Sequence, residues 1–169
     1  MKKVIGFFSI MMFAVAVMAQ GGEKKAPASP PAKAEGSIAG KSVVINYAQP
    51  AVKGRKIWGA LVPFGKVWRT GANGATTITF DKDVKIEGQA LKAGKYAIFT
   101  IPNETEWTFI FNSKTEQWGA YEYSDKDDVL RVKVKSGKSA AFNERMTFAV
   151  DAKKVNFMWE NLETGFTVE

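Results

Sequence analysis

Hydrophobic and polar residues alternate in short runs along most of the chain, and glycine, proline, asparagine or aspartate separates the runs. Alternation with a period of two is typical of strands that bury one face. In Val129–Lys135, for example, Val132 and Val134 share one face, while the basic residues between and after them share the other. The runs that we predict as strands are Ser42–Tyr47, Thr76–Phe80, Val84–Glu87, Lys95–Ile101, Trp107–Phe111, Val129–Lys135, Met146–Val150, Val155–Glu160 and Phe166–Val168.

Nine or ten short strands with short connections predict an all-β fold, namely an antiparallel β-sandwich, with a jelly roll as one possible arrangement. Asn103–Glu106 follows Pro102 and separates two of the runs, so we predict a hairpin there. No segment carries an apolar stripe at helical spacing over three turns. The one helical candidate is Lys56–Leu61, and it is long enough for about one turn.

The N-terminus has the pattern of a secretory signal peptide. Met1-Lys2-Lys3 is basic, Val4–Val17 is apolar, and Ala19 is a small residue at the expected cleavage point. The alternative is a membrane anchor, but the apolar run is shorter than the roughly 20 residues that a spanning helix needs. We therefore predict a signal peptide over residues 1–19 and export to the periplasm or the medium, with no membrane insertion after cleavage.

A segment rich in proline, alanine, glycine and lysine follows the predicted cleavage point. Gly21–Ala34 contains no large apolar residue, which is typical of a flexible or partly extended tether. The predicted organisation is a tether over residues 20–36 and a single β-sandwich domain over residues 37–169.

The composition limits the chemistry. The chain of 169 residues contains no cysteine and no histidine. This excludes Ser-His-Asp and Cys-His nucleophile systems, disulfides, lipid attachment to cysteine, and the usual zinc and haem sites. Catalysis by carboxylate, lysine, tyrosine or hydroxyl groups remains possible, as does binding without catalysis.

Basic residues are concentrated in one segment. The formal net charge is +7, and removal of Lys2 and Lys3 with the signal peptide would lower it by two to +5. The segment from Gly36 to Phe80 contains six basic residues and no acidic one, whereas acidic residues slightly outnumber basic ones after it. This distribution does not favour a nucleic-acid binder. The segment either attracts an anionic or polyhydroxyl ligand or forms a solvated basic face.

Several motifs together resemble one known family. They are Tyr47–Pro50, Val52–Gly59, Leu61–Asn73, Asp83–Gly88, Leu91–Tyr96, Phe99–Pro102, Trp107 and Gln117–Tyr121. The combination resembles the bacterial secreted family called domain of unknown function 2911, over nearly all of the chain after the tether. The resemblance implies a secreted β-domain and supplies no activity. It also implies an acidic residue after Gly-Ala-Asn, where this chain has Gly74.

The segment Trp68–Asn73 is the first candidate for a binding site. It places an aromatic ring, a cation, a hydroxyl and an amide within six positions, with Gly71 permitting a tight turn. Arginine offers a planar fork of donors, and asparagine both donates and accepts, which suits carboxylate, phosphate or sugar hydroxyls. The alternative is that Arg69 and Asn73 satisfy loop carbonyls while Trp68 lies in the core.

Two further segments combine aromatic and polar residues. Gly54–Gly59 is a basic loop with one tryptophan, and Gln117–Tyr123 carries alternating aromatics that we predict on one strand face. Aromatic rings beside polar groups stack on sugars or peptide side chains, although core or edge packing is the alternative. The candidate ligand-binding residues are therefore Arg55, Trp58, Trp68, Arg69, Asn73, Trp118 and Tyr121.

For catalysis, the remaining candidates are paired carboxylates as in glycoside hydrolases. Glu116, Glu122, Glu144 and, less favourably, Asp83 qualify, and their spacing selects no pair. Ser124–Asp128 is acidic but lacks the calcium-loop spacing, and no cofactor motif occurs. The sequence favours an exported binding module for a polar anionic small molecule or glycan, and we expect no metal or cofactor. The alternatives are a carboxylate-dependent hydrolase on the same fold and a structural envelope protein. It leaves the oligomeric state open.

Overall fold

The computed structural model describes residues 27–169. The predicted signal peptide and the first part of the predicted tether lie outside the described residues. The strands are β1 (Pro31–Ile38), β2 (Lys41–Ala48), β3 (Thr76–Phe80), β4 (Val84–Ile86), β5 (Gln89–Leu91), β6 (Gly94–Ile101), β7 (Glu106–Asn112), β8 (Asp128–Lys135), β9 (Gly137–Val150) and β10 (Lys154–Thr167). A single 3-10 turn, Asp125–Asp127, precedes β8. Within residues 27–169, no helix is long and apolar enough to cross a membrane.

Six strands form one antiparallel sheet in the order β1-β2-β3-β6-β7-β8. The order follows the chain except where the β4–β5 hairpin is inserted between β3 and β6. The inner face of the sheet carries large apolar side chains, such as Ile45 on β2, its cross-strand partner Ile78 on β3, and Phe109 on β7. On β8, Val132 and Val134 are buried and the basic residues are exposed, as the alternation predicts.

The opposite layer is built from β9, β10 and the β4–β5 hairpin. β9 pairs with β10, and β10 doubles back on itself near Glu160, which has a positive φ of 56°. The amide of Val168 donates to the carbonyl of Lys153 at 2.9 Å, so the end of β10 runs beside its beginning. Ile86 of β4 pairs with Val168, which joins the hairpin to this layer. The two layers make an antiparallel β-sandwich, and this confirms the predicted fold class.

Aromatic residues fill much of the space between the layers. Trp107 from the large sheet and Phe157 from β10 have ring centroids 5.3 Å apart, and both side chains are fully buried. Burying a large apolar side chain contributes about 1.5–3 kcal/mol. This core, together with the backbone ladders, holds the domain together without any disulfide.

A smaller core lies on the outer face of the large sheet. Ala97, Phe99 and Ile110 point away from the main core and are fully buried, because two loops cover them. The ring of Tyr123 packs 4.9 Å from that of Phe99, centroid to centroid. The two loops are the connection between β2 and β3 and the connection between β7 and β8, and both carry predicted ligand-binding residues. Each is therefore attached to the sheet by its own apolar contacts.

The folded domain begins earlier than predicted. Residues 31–36 were expected in the tether, but β1 starts at Pro31 and pairs with β2 along its whole length. Small residues suffice there because the ladder bonds are backbone bonds and because β1 packs closely on β9. A Cβ atom at Gly36 would lie 2.8 Å from Cγ1 of Val150. Pro31 is tolerated because it is the first residue of an edge strand.

Two other expectations need correction. The predicted helical turn at Lys56–Leu61 is a non-helical turn, in which the amide of Val62 donates to the carbonyl of Ile57 at 2.9 Å. The strand predicted at Met146–Val150 is only the end of β9, which begins at Gly137. Most residues in the first half of β9 are exposed, so apolar and polar residues do not alternate there and the sequence did not predict that part of the strand.

Candidate functional site

The long connection between β2 and β3 covers one end of the sandwich. It first runs along β9, where Ala51 pairs with Arg145 and the amide of Val52 donates to the carbonyl of Glu144 at 2.8 Å. It then reaches β6, where Trp68 and Thr100 exchange backbone hydrogen bonds of 2.8 and 2.9 Å. The connection is thereby fixed to both layers before it enters β3.

This connection forms a groove of about 390 Å³, which we call the arginine groove. Its lining includes Ser29, Arg55, Leu61, Trp68, Arg69, Ala72, Asn73 and Trp159. Four of the seven predicted ligand-binding residues, namely Arg55, Trp68, Arg69 and Asn73, therefore line one depression. Its lining includes two arginines and no carboxylate, so it favours an anion.

The two guanidinium groups are held differently. Arg55 donates from Nε to the carbonyl of Val52 at 3.1 Å and from Nη2 to the carbonyl of Ala51 at 2.5 Å, which fixes its orientation. Arg69 is half-buried, and its Nε is fully buried with no hydrogen-bond partner among the described residues. A buried polar group without a partner costs about 1–3 kcal/mol, and more when it is charged. Among the described residues Arg69 also forms no ion pair, so its positive charge in the groove is not neutralised by a carboxylate of the chain.

The backbone between the groove residues is strained. Thr70 has a positive φ of 54°, which is unfavourable for a β-branched residue and costs about 1–3 kcal/mol. The hydroxyl of Thr76 donates to the carbonyl of Thr70 at 2.7 Å, and the hydroxyls of Thr70 and Thr100 lie 3.1 Å apart. These buried contacts fix the conformation that places Arg69 in the groove.

The tryptophans of the predicted site lie mainly in the core. Trp68 is only 9% exposed and stacks on Trp159, with centroids 5.9 Å apart and an interplanar angle of 17°. Trp58 packs edge to face on Trp107, with centroids 5.1 Å apart, and does not line the groove. The structure therefore does not bring Trp58 to the groove with Trp68 and Arg69, because its ring fills the end of the sandwich. Trp68 contributes part of its surface to the groove.

Asn73 connects the groove to the third candidate segment. It adopts a positive φ of 61°, which asparagine tolerates, and its carbonyl accepts from the amide of Gly119 at 3.1 Å. Gly74 pairs with Trp118, and the amide of Ala75 donates to the carbonyl of Gln117 at 3.0 Å. The segment around Trp118 is therefore fixed beside Asn73.

The aromatic residues of this segment do not share a strand face. Residues 119–122 form a turn, so the expected alternation of Tyr121 and Tyr123 on one strand was wrong. Trp118 is 64% exposed and Tyr121 is 90% exposed, whereas Tyr123 packs on the outer core. The positive φ of 65° at Gly119 ends the extended backbone directly after Trp118.

A polar network anchors the loop that carries Trp118. The hydroxyl of Tyr123 donates to Oδ2 of Asp128 at 2.7 Å, and Nε of Arg131 donates to the same oxygen at 2.8 Å. Nδ2 of Asn112 donates to Oδ1 of Asp128 at 2.8 Å. Burial first, and the hydrogen bond to Asp128 second, raise the pKa of Tyr123 to about 12. The network keeps this phenol protonated and the loop in place.

None of the four candidate catalytic carboxylates lines the arginine groove. Nζ of Lys92 donates to Oδ2 of Asp83 at 2.8 Å, and this hydrogen bond lowers the pKa of Asp83. A general acid needs a raised pKa instead. Glu122 pairs with Lys114 at 3.2 Å, and Glu144 accepts from the amide of Lys53 at 3.0 Å. Within residues 27–169, no group of three or more carboxylates is placed to hold a metal ion.

The sequence did not identify Trp159 or Ser29 as groove residues. Trp159 lies in a predicted strand, where its alternation with Phe157 indicates only that it is buried. Ser29 lies in the segment predicted as a tether, yet its carbonyl faces Nδ2 of Asn73 at 3.5 Å. No local signal marks either residue, because both reach the groove through tertiary contacts.

Comparison with known proteins adds the family. No match was found among curated proteins or among solved structures. A family model described as protein of unknown function (DUF2911) matches residues 29–168. The match includes all ten strands and the whole connection that carries the arginine groove, from Ser29 onward. The chain therefore belongs to the DUF2911 family.

Proposed function

We propose that this protein is an exported binding module that holds a polar, anionic ligand in the arginine groove. The observation that carries the proposal is that two guanidinium groups, those of Arg55 and Arg69, line one groove that contains no carboxylate. A carboxylate, phosphate or sulfate group in the groove would accept from Arg69 and from the oriented guanidinium of Arg55, through charge-assisted hydrogen bonds.

The surroundings of Arg69 would strengthen such a contact. Trp159 is 1% exposed and Trp68 stacks on it, so one side of the groove is a rigid, apolar surface. Electrostatic interactions are stronger beside a low-dielectric surface than in open water. Because the strained turn at Thr70 is fixed by buried hydroxyls, the site is already formed before a ligand binds.

Export is part of the proposal and rests on the N-terminal sequence. The basic, apolar and small-residue pattern of residues 1–19 supports removal of a signal peptide, which would leave Gln20 as the first residue. Mass spectrometry of the protein recovered from the cell envelope or the medium would test this. A chain that retains Met1 and stays in the cytoplasm would contradict it.

The binding proposal is tested by thermal unfolding of residues 20–169 with phosphate, sulfate, glucuronate and citrate. At least one anion should raise the Tm of the wild type, because a ligand of the native state stabilises it by mass action. Arg69→Ala should lose that shift. Its Tm without ligand should be unchanged or higher, since the substitution removes a buried donor that has no partner.

Lys66→Ala is the matched control. It removes one positive charge from the same acid-free segment, but Lys66 is exposed and does not line the groove. It should keep the ligand shift, apart from a small loss that disappears at higher ionic strength. If no anion stabilises the wild type, or if Lys66→Ala and Arg69→Ala weaken the shift equally, the groove is not the anion site.

A further inference from the structure

A second depression continues from the arginine groove across the outer face of the large sheet. It has a volume of about 360 Å³, and we call it the amide groove. The polar residues that define it are Ser29, Asn46, Asn73 and Thr77, and no charged side chain lines it. Ser29, Ala72 and Asn73 line both grooves, so the two are adjacent.

The chemistry of the amide groove differs from that of its neighbour. Side-chain amides both donate and accept hydrogen bonds, and hydroxyls do the same. The rest of the lining is mostly apolar and includes Pro27, Pro31 and three alanines. A sugar matches such a lining, because its ring has hydroxyl groups at the edge and an apolar face. The contact between Nδ2 of Asn73 and the carbonyl of Ser29 is long, at 3.5 Å, so a ligand can replace it at little cost.

An exposed tryptophan stands beside this groove on a fixed segment. Trp118 is 64% exposed and pairs with Gly74, which lines the amide groove. The preceding residue, Gln117, is buried, and its Nε2 donates to Oδ1 of Asn112 at 3.1 Å and to the carbonyl of Lys114 at 2.5 Å. A large aromatic ring that is exposed but held in place is typical of a binding surface.

We propose that the ligand is a glycan chain that contains acidic sugars; this rests on the proposed function of the arginine groove. An acidic group of one sugar binds Arg55 and Arg69. The hydroxyls of the adjoining sugar bind Asn46, Asn73 and Thr77 in the amide groove. The apolar face of that sugar ring stacks on Trp118.

The lining favours a glycan over an acidic peptide. A peptide in an extended conformation binds through an unpaired strand edge and through apolar pockets for alternate side chains. The amide groove offers no unpaired strand edge where Asn46 and Thr77 lie, because their strands, β2 and β3, are both paired on each side. It offers side-chain amides and hydroxyls instead, and these match the ring substituents of a sugar.

The experiment is calorimetric titration of residues 20–169 with galacturonate, trigalacturonate, a sulfated galactose trisaccharide, neutral trigalactose and triglutamate. One of the two acidic trisaccharides should bind at least tenfold more tightly than galacturonate, and more tightly than trigalactose and triglutamate. The comparison of uronate with sulfate identifies which acidic group the arginine groove takes.

Variants then separate the two grooves. Trp118→Ala should weaken trisaccharide binding about tenfold, as expected for the loss of one stacked ring, while galacturonate binding changes less than twofold. Asn46→Ala should act in the same direction. Phe142→Ala is the control, because Phe142 is also an exposed aromatic residue, at 56%, and lines neither groove. It should leave all affinities unchanged.

The outcomes distinguish this inference from the proposed function. If Arg69→Ala abolishes binding but trisaccharides bind no more tightly than galacturonate, and Trp118→Ala has no effect, the glycan inference is wrong and the anion site stands. If triglutamate binds most tightly, the ligand is an acidic peptide and the glycan inference is wrong. If Arg69→Ala changes nothing, both proposals fail.

Discussion

Gly71 lies at the centre of the turn that places Arg69 in the groove, and Gly71→Ala tests how tightly that turn is packed. The backbone of Gly71 is not in the left-handed region, so alanine can adopt its conformation. A Cβ atom there would lie 2.9 Å from Oγ1 of Thr76 and 3.3 Å from the carbonyl oxygen of Ala48. The added methyl must displace the Thr76 hydroxyl, which now donates to the carbonyl of Thr70 at 2.7 Å.

The magnitude follows from these two effects. Inserting a methyl into a closely packed site costs about 1–3 kcal/mol. Losing the buried hydrogen bond adds about 1 kcal/mol. We therefore expect Gly71→Ala to lower the free energy of unfolding by about 2–4 kcal/mol. Urea unfolding followed by far-UV circular dichroism measures this, with an unchanged m-value as the sign that only stability has changed.

Gly137→Ala is the matched control, because no atom lies within 4 Å of a Cβ at Gly137 and its φ is also outside the left-handed region. It should change the free energy of unfolding by less than about 0.5 kcal/mol. If Gly71→Ala is as stable as Gly137→Ala, the turn has room for a methyl group, and the contacts of Thr76 do not fix the conformation of Thr70.

Two further predictions concern the outer face of the sheet. Tyr123, whose pKa is raised to about 12 from 10.0, should give an ultraviolet absorbance step near pH 12, and Tyr123→Phe should remove that step. Its contribution to stability is complete below about pH 10 and is lost as the pH rises towards 12, because the folded state holds the phenol proton more tightly; titration near pH 10 would contradict the burial. Phe99→Ala should lower the free energy of unfolding by about 3–5 kcal/mol in urea. The exposed control Phe142→Ala should cost under about 0.5 kcal/mol, and equal costs would mean that the outer core does not stabilise the domain.

Much of the fold follows from residue alternation. β3 has the predicted bounds, and β8 extends only one residue beyond its prediction. In β8 the side-chain period directly reports which face is buried, and in β3 Ile78 and Phe80 alternate with threonines. The hairpin between β6 and β7 also forms around the predicted turn. These elements are short and regular, and turn residues flank them, so the local sequence determines where they begin and end.

β1 could not be predicted in the same way. Its alanines and Gly36 resemble a linker in sequence, yet small residues are needed where β1 packs against Val150 of β9. In the candidate site, Arg69 and Asn73 were identified because they are close in sequence. Trp159 and Ser29 could not be, since only the docking of β10 and of the N-terminal segment brings them to the groove.

The contacts of β9 with β2 and with the connection that follows it also have a consequence for folding. The amide of Phe148 donates to the hydroxyl of Tyr47, 101 positions earlier, and that of Lys53 donates to Glu144, 91 positions later. Domains dominated by such distant contacts fold slowly, on the scale of milliseconds to seconds. The arginine groove needs Ser29, which lies early in the sequence of the domain, and Trp159, which lies near the end of that sequence. It is therefore completed only when the C-terminal strands dock. A chain that emerges N-terminus first therefore acquires its groove last, and ligand binding reports that folding is complete.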